Sequence, residues 1–339
     1  MASQDIGLDL GTATVIVYDR ERGVLLREPS VVGVNQRTRE VICVGDEAYE
    51  MIGRTPDKIR AVMPMADGVI SDFDLTGAMI RGFLRKVYDR SLIKPRLIIC
   101  VPSGITDVES RAVVSAALGA GSRKVYLIEE PVAAALGAGF DISRPHGHLI
   151  IDIGGGTTDV AVLSLNGIVC KKSIRVAGRR LDQDIARYIK NVYGLQIGER
   201  TAERLKIEAG SVSFRPDEEV EVEIKGLNTF NGLPGRVTIG RKEVKTAIFD
   251  SVMLIVEAVK QVLEMTPPEL AGDIYADGMI LSGGGAFIHG LDRLLLAETG
   301  LITQRVADPD LVVARGTAMA FDHLDTLVDG FLSPETHNH

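Results

Sequence analysis

Leu149-Ile150-Ile151-Asp152-Ile153-Gly154-Gly155-Gly156-Thr157-Thr158-Asp159-Val160-Ala161-Val162 reads as an apolar strand ending on one carboxylate, a turn of glycines and hydroxyls, and a second apolar strand. The same grammar occurs in Asp5-Ile6-Gly7-Leu8-Asp9-Leu10-Gly11-Thr12-Ala13-Thr14-Val15-Ile16-Val17-Tyr18. Each copy runs on through another turn into a third strand. The first uses Arg20-Glu21-Arg22-Gly23 before Val24-Leu25-Leu26; the second uses Asn166-Gly167, a strong hairpin signal, before Ile168-Val169-Cys170. Helices follow in both halves. Thr106-Asp107-Val108-Glu109 is a capping pattern opening one helix to about Leu118. Leu181, Ile185, Ile189 and Val192 form an apolar stripe on another, and a third spans roughly Glu243 to Glu264, stopped by Pro267-Pro268. The pattern predicts an α/β chain duplicated into two lobes, each with a mixed sheet flanked by helices, and a cleft across which the two hairpins face each other.

With 339 residues, the chain exceeds the roughly 150 typical of one domain, as two lobes require. Trp is absent and aromatics are 5%, so the core must rest on Val, Ile, Leu and Ala. The net charge of −8 comes without a dense basic stripe, which speaks against nucleic acid as a partner. Cys43, Cys100 and Cys170 lie far apart in apolar runs and read as buried, reduced thiols rather than a disulfide framework or zinc site. Met1 to Asp5 lacks the pattern of a signal peptide, and no run approaches the ~20 apolar residues of a membrane helix. A cytoplasmic protein is expected.

Glycine turns admit backbone N–H groups close to phosphate oxygens. Gly11, Thr12, Ala13 and Thr14 make one such turn, and Gly154, Gly155, Gly156, Thr157 and Thr158 the other. Asp9 and Asp152 stand at the strand ends beside them, and two carboxylates there suit Mg²⁺, which keeps several waters and uses few protein ligands alongside phosphate. The Walker pattern is absent, so this is no P-loop enzyme. A third cluster, Ser282-Gly283-Gly284-Gly285-Ala286, follows Met279-Ile280-Leu281 and precedes a helix start near His289-Gly290-Leu291. It reads either as a place for a nucleotide's sugar or base, or as a tight connection.

These motifs resemble the superfamily of actin, heat-shock chaperone ATPase domains and sugar kinases. Asp9 to Thr14 is similar to its first phosphate motif, Asp152 to Asp159 to its second, Gly283 to Gly285 to its adenosine motif, and Val125 to Ala135 to its first connecting motif. Within it, Glu28-Pro29-Ser30-Val31-Val32, Gly53-Arg54-Thr55-Pro56, Lys94-Pro95-Arg96, Val101-Pro102-Ser103-Gly104-Ile105-Thr106, Ile197 to Glu203 and Thr266-Pro267-Pro268-Glu269-Leu270 resemble the MreB family of bacterial actin-like proteins over nearly the whole chain. The resemblance implies an actin-like fold with ATP or ADP and Mg²⁺ in the cleft, and ATP hydrolysis coupled to filament assembly. It implies that Glu130, helped by Thr157, orients the attacking water; that Thr12 to Thr14 and Gly155 to Thr157 contact phosphates; that Glu203 and Lys206 lie near ribose and base; and that Gly284 to Ala286 form the adenosine loop. Glu129 and Glu130 also read as a solvated pair at a helix start.

The implied subdomains are 1–32, 65–140 and 315–339 for the large part of lobe I, 33–64 for its small part, 141–180 and 245–314 for the large part of lobe II, and 181–244 for its small part. The resemblance further implies head-to-tail, paired filaments at the inner face of the cell membrane, with cell-wall elongation proteins as partners. Leu92 and Ile93, flanked by Arg90, Lys94 and Arg96, suit insertion into lipid or packing beneath the next strand. Three departures stand out: Thr14 replaces a usual Asn, Ala66 replaces a usual basic residue, and Arg179-Arg180 replace acidic residues after Gly178. The arginines leave open tighter phosphate binding, slower product release or altered filament contacts. The tail from about Leu332 to His339 reads as disordered. Two other readings of the same fold are a chaperone-type ATPase and a small-molecule kinase.

Overall fold

The computed structural model describes residues 5–66, 68–88, 94–327 and 331–332. In lobe I, β1 (Asp5–Leu10), β2 (Thr14–Asp19) and β3 (Gly23–Pro29) form an antiparallel meander. Asp19 holds its second turn by accepting from the N–H groups of Glu21 and Arg22 at 2.9 and 3.0 Å, and Gly23 supplies the φ of 77°. Next come a small sheet of β4 (Val32–Asn35), β5 (Val41–Val44) and β6 (Ile59–Val62) with helix α1 (Asp46–Glu50), and a short pair, β7 (Met65–Ala66) and β8 (Val69–Ile70). Helix α2 (Phe73–Tyr88), β9 (Arg96–Val101), α3 (Asp107–Gly119), β10 (Lys124–Glu129) and α4 (Glu130–Gly137) complete the lobe. β9 and β10 join β1 in parallel, giving the order β10-β9-β1-β2-β3. Their apolar runs follow from cover on both faces: Leu97, Ile98 and Ile99 are wholly buried.

Lobe II repeats the plan with β11 (His148–Ile153), β12 (Thr158–Ser164) and β13 (Gly167–Ile174). It continues through α5 (Gly178–Tyr193), β14 (Leu195–Gln196), α6 (Glu199–Ala209), β15 (Glu221–Asn228), β16 (Pro234–Gly240), α7 (Arg241–Met265), α8 (Pro268–Asp277), β17 (Met279–Ser282), α9 (Leu291–Thr299) and β18 (Thr303–Arg305). Its large sheet has the order β13-β12-β11-β17-β18, and its small one β14-β15-β16. The chain then returns through α10 (Val312–Met319) to β19 (Phe331–Leu332), which pairs with β10.

Two sequence expectations shift. The β12–β13 turn uses Leu165 and Asn166, both left-handed (φ 50° and 60°), so Gly167 begins the strand instead of closing the turn. Leu165 is kept there by the 141–144 segment: its N–H donates to the Arg144 carbonyl, and that of Asn166 to Ile142. On α5, Leu181, Ile185 and Ile189 are buried but Val192 is 55% exposed, and in that last turn Tyr193 packs against the core instead.

The lobes share a core. Ile98, Ile128, Ile150, Ala161 and Ile280 from the two sheets meet Val132 to Leu136 of α4 and Val312 of α10 in one buried cluster. α4 and α10 cross at Gly137 and Gly316, where a Cβ would stand 1.9 Å from the Val312 carbonyl oxygen or 1.7 Å from that of Ala133. All three cysteines are free, with only Cys100 fully buried. Among the described residues, no helix is long and apolar enough to cross a membrane.

Candidate functional site

The two glycine turns meet between the lobes. Gly11, Thr12 and Ala13 join β1 to β2, and Ser30 holds the turn from behind: its N–H donates to the Ala13 carbonyl and its hydroxyl to that of Gly11. In the second turn the Gly154 N–H closes on the Thr157 carbonyl at 2.9 Å. A Cβ on Gly155 would lie 2.5 Å from the Ala13 Cβ, and one on Gly156 2.6 Å from the Thr12 hydroxyl. Any larger residue would push the turns apart, so glycine is what lets these two backbones approach.

Beneath the turns lie four carboxyl groups from four elements: Asp9 on β1, Asp152 on β11, Asp159 opposite it on β12, and Glu130 at the start of α4. Asp152, Asp159 and Glu130 are buried; Asp9 is half-open to the cleft yet walled by protein. Desolvation, then the Asp152 charge, pushes Asp9 up to about 7. Desolvation likewise lifts Asp152 to about 7, against the pull of Ser282, whose hydroxyl donates to it at 2.6 Å. Burial, then the charges of Asp159, Asp152 and Asp9, holds Glu130 well above the usual carboxylate range. The Ser103 N–H reaches across from lobe I to Asp159 at 2.8 Å. Glu130 and Asp159 lie close enough to share a proton, and apart from that Glu130 Oε2 and Asp159 Oδ2 are buried with no hydrogen-bond partner, a shortage that a donor or cation would relieve.

The remaining expected residues are distributed around this centre. Thr12 and Thr157 are buried at the turns, the Thr12 hydroxyl accepting from the Gly68 N–H at 3.1 Å. The Thr158 hydroxyl points away, onto the Val176 carbonyl at 2.7 Å. Gly283 (φ 78°) and Gly285 pack on Ile153, whereas Gly284 faces open space and Ala286 is buried behind it. Lys206 lies beside the second turn, bound to the Gly178 carbonyl at 3.1 Å and to Asp182 at 2.9 Å. Glu203 accepts from the Tyr49 hydroxyl of lobe I, and the Arg200 guanidinium sits 4.8 Å above that ring. Glu129 turns out of the site, its carboxylate held at 2.7 Å by Lys171 of lobe II. Leu92 and Ile93 fall outside the described residues, as do Arg90, Asp67 and 333–339. Asp159, Ser103 and Tyr49 were not singled out from sequence. Asp159 carried a signal, being the one charged residue in a strand that is otherwise buried and uncharged.

Duplicated lobes with facing glycine turns over a shared core define the actin-like class. Solved structures agree: crystal structures of MreB5 of Spiroplasma citri, bound to ADP and to AMPPNP, match with a TM-score of 0.90 at 38% identity, covering 95% of this chain and 97% of theirs. The MamK double helical filament shares the fold at a TM-score of 0.79 and 22% identity, covering 94% of this chain and 98% of that one. The profile of the MreB/Mbl protein family matches residues 3–329, and the chain belongs to that family. It is 47% identical to the cell shape-determining protein Mbl of Bacillus subtilis (strain 168) over 328 residues, covering 96% of this chain and 98% of the relative. It is 46% identical to the cell shape-determining protein MreB of Escherichia coli (strain K12) over 331 residues, covering 96% and 95%.

Proposed function

We propose that the protein binds ATP between its lobes, hydrolyses it to ADP and phosphate, and assembles into head-to-tail filaments at the inner face of the cell membrane, where they organise cell shape and cell-wall synthesis. The observation that carries this reading is the contact of Gly155 with Ala13 and of Gly156 with Thr12 above a set of buried carboxyls. The names of its cell shape-determining relatives and the ADP and AMPPNP bound to MreB5 support it.

The residues present fit such a ligand. Glu130 and Asp159, short of donors beyond the proton they can share, suit a nearby donor or cation, and the open space at Gly284 leaves room beside the Gly283–Ala286 backbone. Asp9 and Asp152 would hold Mg²⁺ through water. When bound, the triphosphate would supply the electrophilic phosphorus and Mg²⁺ the positive charge that favours the ionised forms of these carboxyls. The turn amides from Gly11 to Thr14 and Gly154 to Thr158 would bind phosphate oxygens, with Gly283 to Ala286 against the adenosine. Glu203 Oε1, which the Tyr49 bond leaves unused, and Lys206 beside Gly178 would lie nearest ribose or base. Glu130 Oε2, with Thr157, would orient one water in a pocket closed to bulk solvent, where positioning supplies most of the rate.

The subdomain division at 33–64 and 181–244 belongs to the same proposal. Its limits near 180, 244 and 314 lie inside α5, α7 and α10, so lobe motion would be carried by continuous helices. Head-to-tail stacking of such a subunit is an open, heterologous contact that grows a fibre.

Purified protein with magnesium and ATP is expected to scatter light and show filaments by electron microscopy. Glu130→Ala should keep nucleotide while phosphate release falls at least ~100-fold. Wild-type turnover in that variant rejects the Glu130 role. Sugar-dependent ADP release without filaments would point instead to a small-molecule kinase.

A further inference from the structure

Arg179 is the second residue of α5, and its backbone already serves the second glycine turn. The Gly178 N–H donates to the Gly154 carbonyl at 3.1 Å, and the Arg179 N–H to that of Gly155 at 2.8 Å. The side chain then crosses to lobe I. Its Nη1 donates to the Met65 carbonyl at 3.1 Å and its Nη2 to the Thr12 carbonyl, inside the first glycine turn. A single residue thus grips one turn by its main chain and the other by its guanidinium. Its neighbour behaves differently: Arg180 faces outward onto Asp184 at 3.2 Å.

Thr12 is consequently fixed on three sides. Its hydroxyl accepts from Gly68, its carbonyl from Arg179, and Gly156 abuts its side chain. The guanidinium suits this task because its donors form a rigid planar fork that serves two carbonyls at once, whereas an ammonium is a point donor on a flexible stem. We propose that Arg179 is a positioning residue that sets the spacing between the two glycine turns, and through it the hold on the phosphate tail of a bound nucleotide. The inference rests on the nucleotide reading above and asks for no contact between Arg179 and phosphate.

The test uses the full chain as wild type, Arg179→Ala and Arg179→Lys, each loaded with a fluorescent ATP analogue and chased with unlabelled ATP. Arg179→Ala is expected to release the analogue at least tenfold faster, equivalent to about 1.4 kcal/mol. Arg179→Lys should recover only a minor part of that loss, since it keeps the charge and loses the fork. Hydrogen exchange in a peptide spanning residues 9–16 of the nucleotide-free protein should be faster in both variants. Release and exchange at wild-type rates in Arg179→Ala, or full recovery in Arg179→Lys, overturns the proposal. Failure of the wild type to take up the analogue sinks the nucleotide reading instead, and the exchange comparison then decides on the tie alone. If Arg179→Ala does not fold, the lysine variant carries the same comparison.

Discussion

Asp9 and Asp152 are pushed up to about 7 in the fold, against about 3.8 for an exposed carboxyl, chiefly because burial disfavours their charges, with Asp152 adding repulsion at Asp9 and Asp159 at Asp152. Both groups hold protons more tightly folded than unfolded. Their contribution to stability is therefore complete below about pH 4 and is lost as the pH rises through about 7. The ligand-free protein should lose on the order of a few kcal/mol between pH 5.5 and pH 8, and magnesium nucleotide should flatten that slope. Denaturation at a series of pH values, with and without ligand, checks this; rising stability over that window would contradict it. At this scale the sequence revealed the glycines and acids that repeat, because repetition is visible along the chain. It concealed the roles of Arg179 and Asp159, whose partners, Thr12 and Ser103, lie in the other lobe and become neighbours only through folding.

Elements were most legible where their signals are local. Thr106 and Glu109 form the reciprocal cap that their spacing predicts, with the Thr106 N–H donating to Glu109 at 2.8 Å. The Asn166-Gly167 turn sits one residue earlier, at Leu165-Asn166, because the 141–144 segment holds those two residues, and Val192 is exposed despite its place in the stripe, for periodicity gives direction but not what covers each position. The crossing of α4 and α10 is another tertiary fact. Gly316→Ala would gain about 1 kcal/mol of helix propensity but drive a methyl group into the Ala133 carbonyl. The clash wins, and a net loss of about 1–3 kcal/mol is expected in urea unfolding. Gly119→Ala, at the end of α3 with nothing within 4 Å, is the control and should be neutral or slightly stabilising. Equal effects at the two sites would remove the crossing from the account.

For the whole molecule, two lobes were readable from duplication, whereas the ties between them were not: Lys171 with Glu129, and Glu203 with Tyr49, join residues remote in sequence. The proposed membrane attachment also belongs to this scale, since a filament would repeat each weak anchor many times and multiply its effect. Changing Leu92 and Ile93 together to Ser should abolish most co-sedimentation with anionic vesicles while leaving filaments intact. Unchanged sedimentation would exclude these residues as the anchor. The pair of Tyr49 and Glu203 has a wider consequence. Burial, then the bond to Glu203, pushes the phenol up to about 12, so the donor keeps its proton throughout the physiological range. On the nucleotide reading, a guest passing between the two small sheets would have to part Tyr49 from Glu203. Its dwell time would then be set by a doorway, on a clock separate from the chemistry on the floor below.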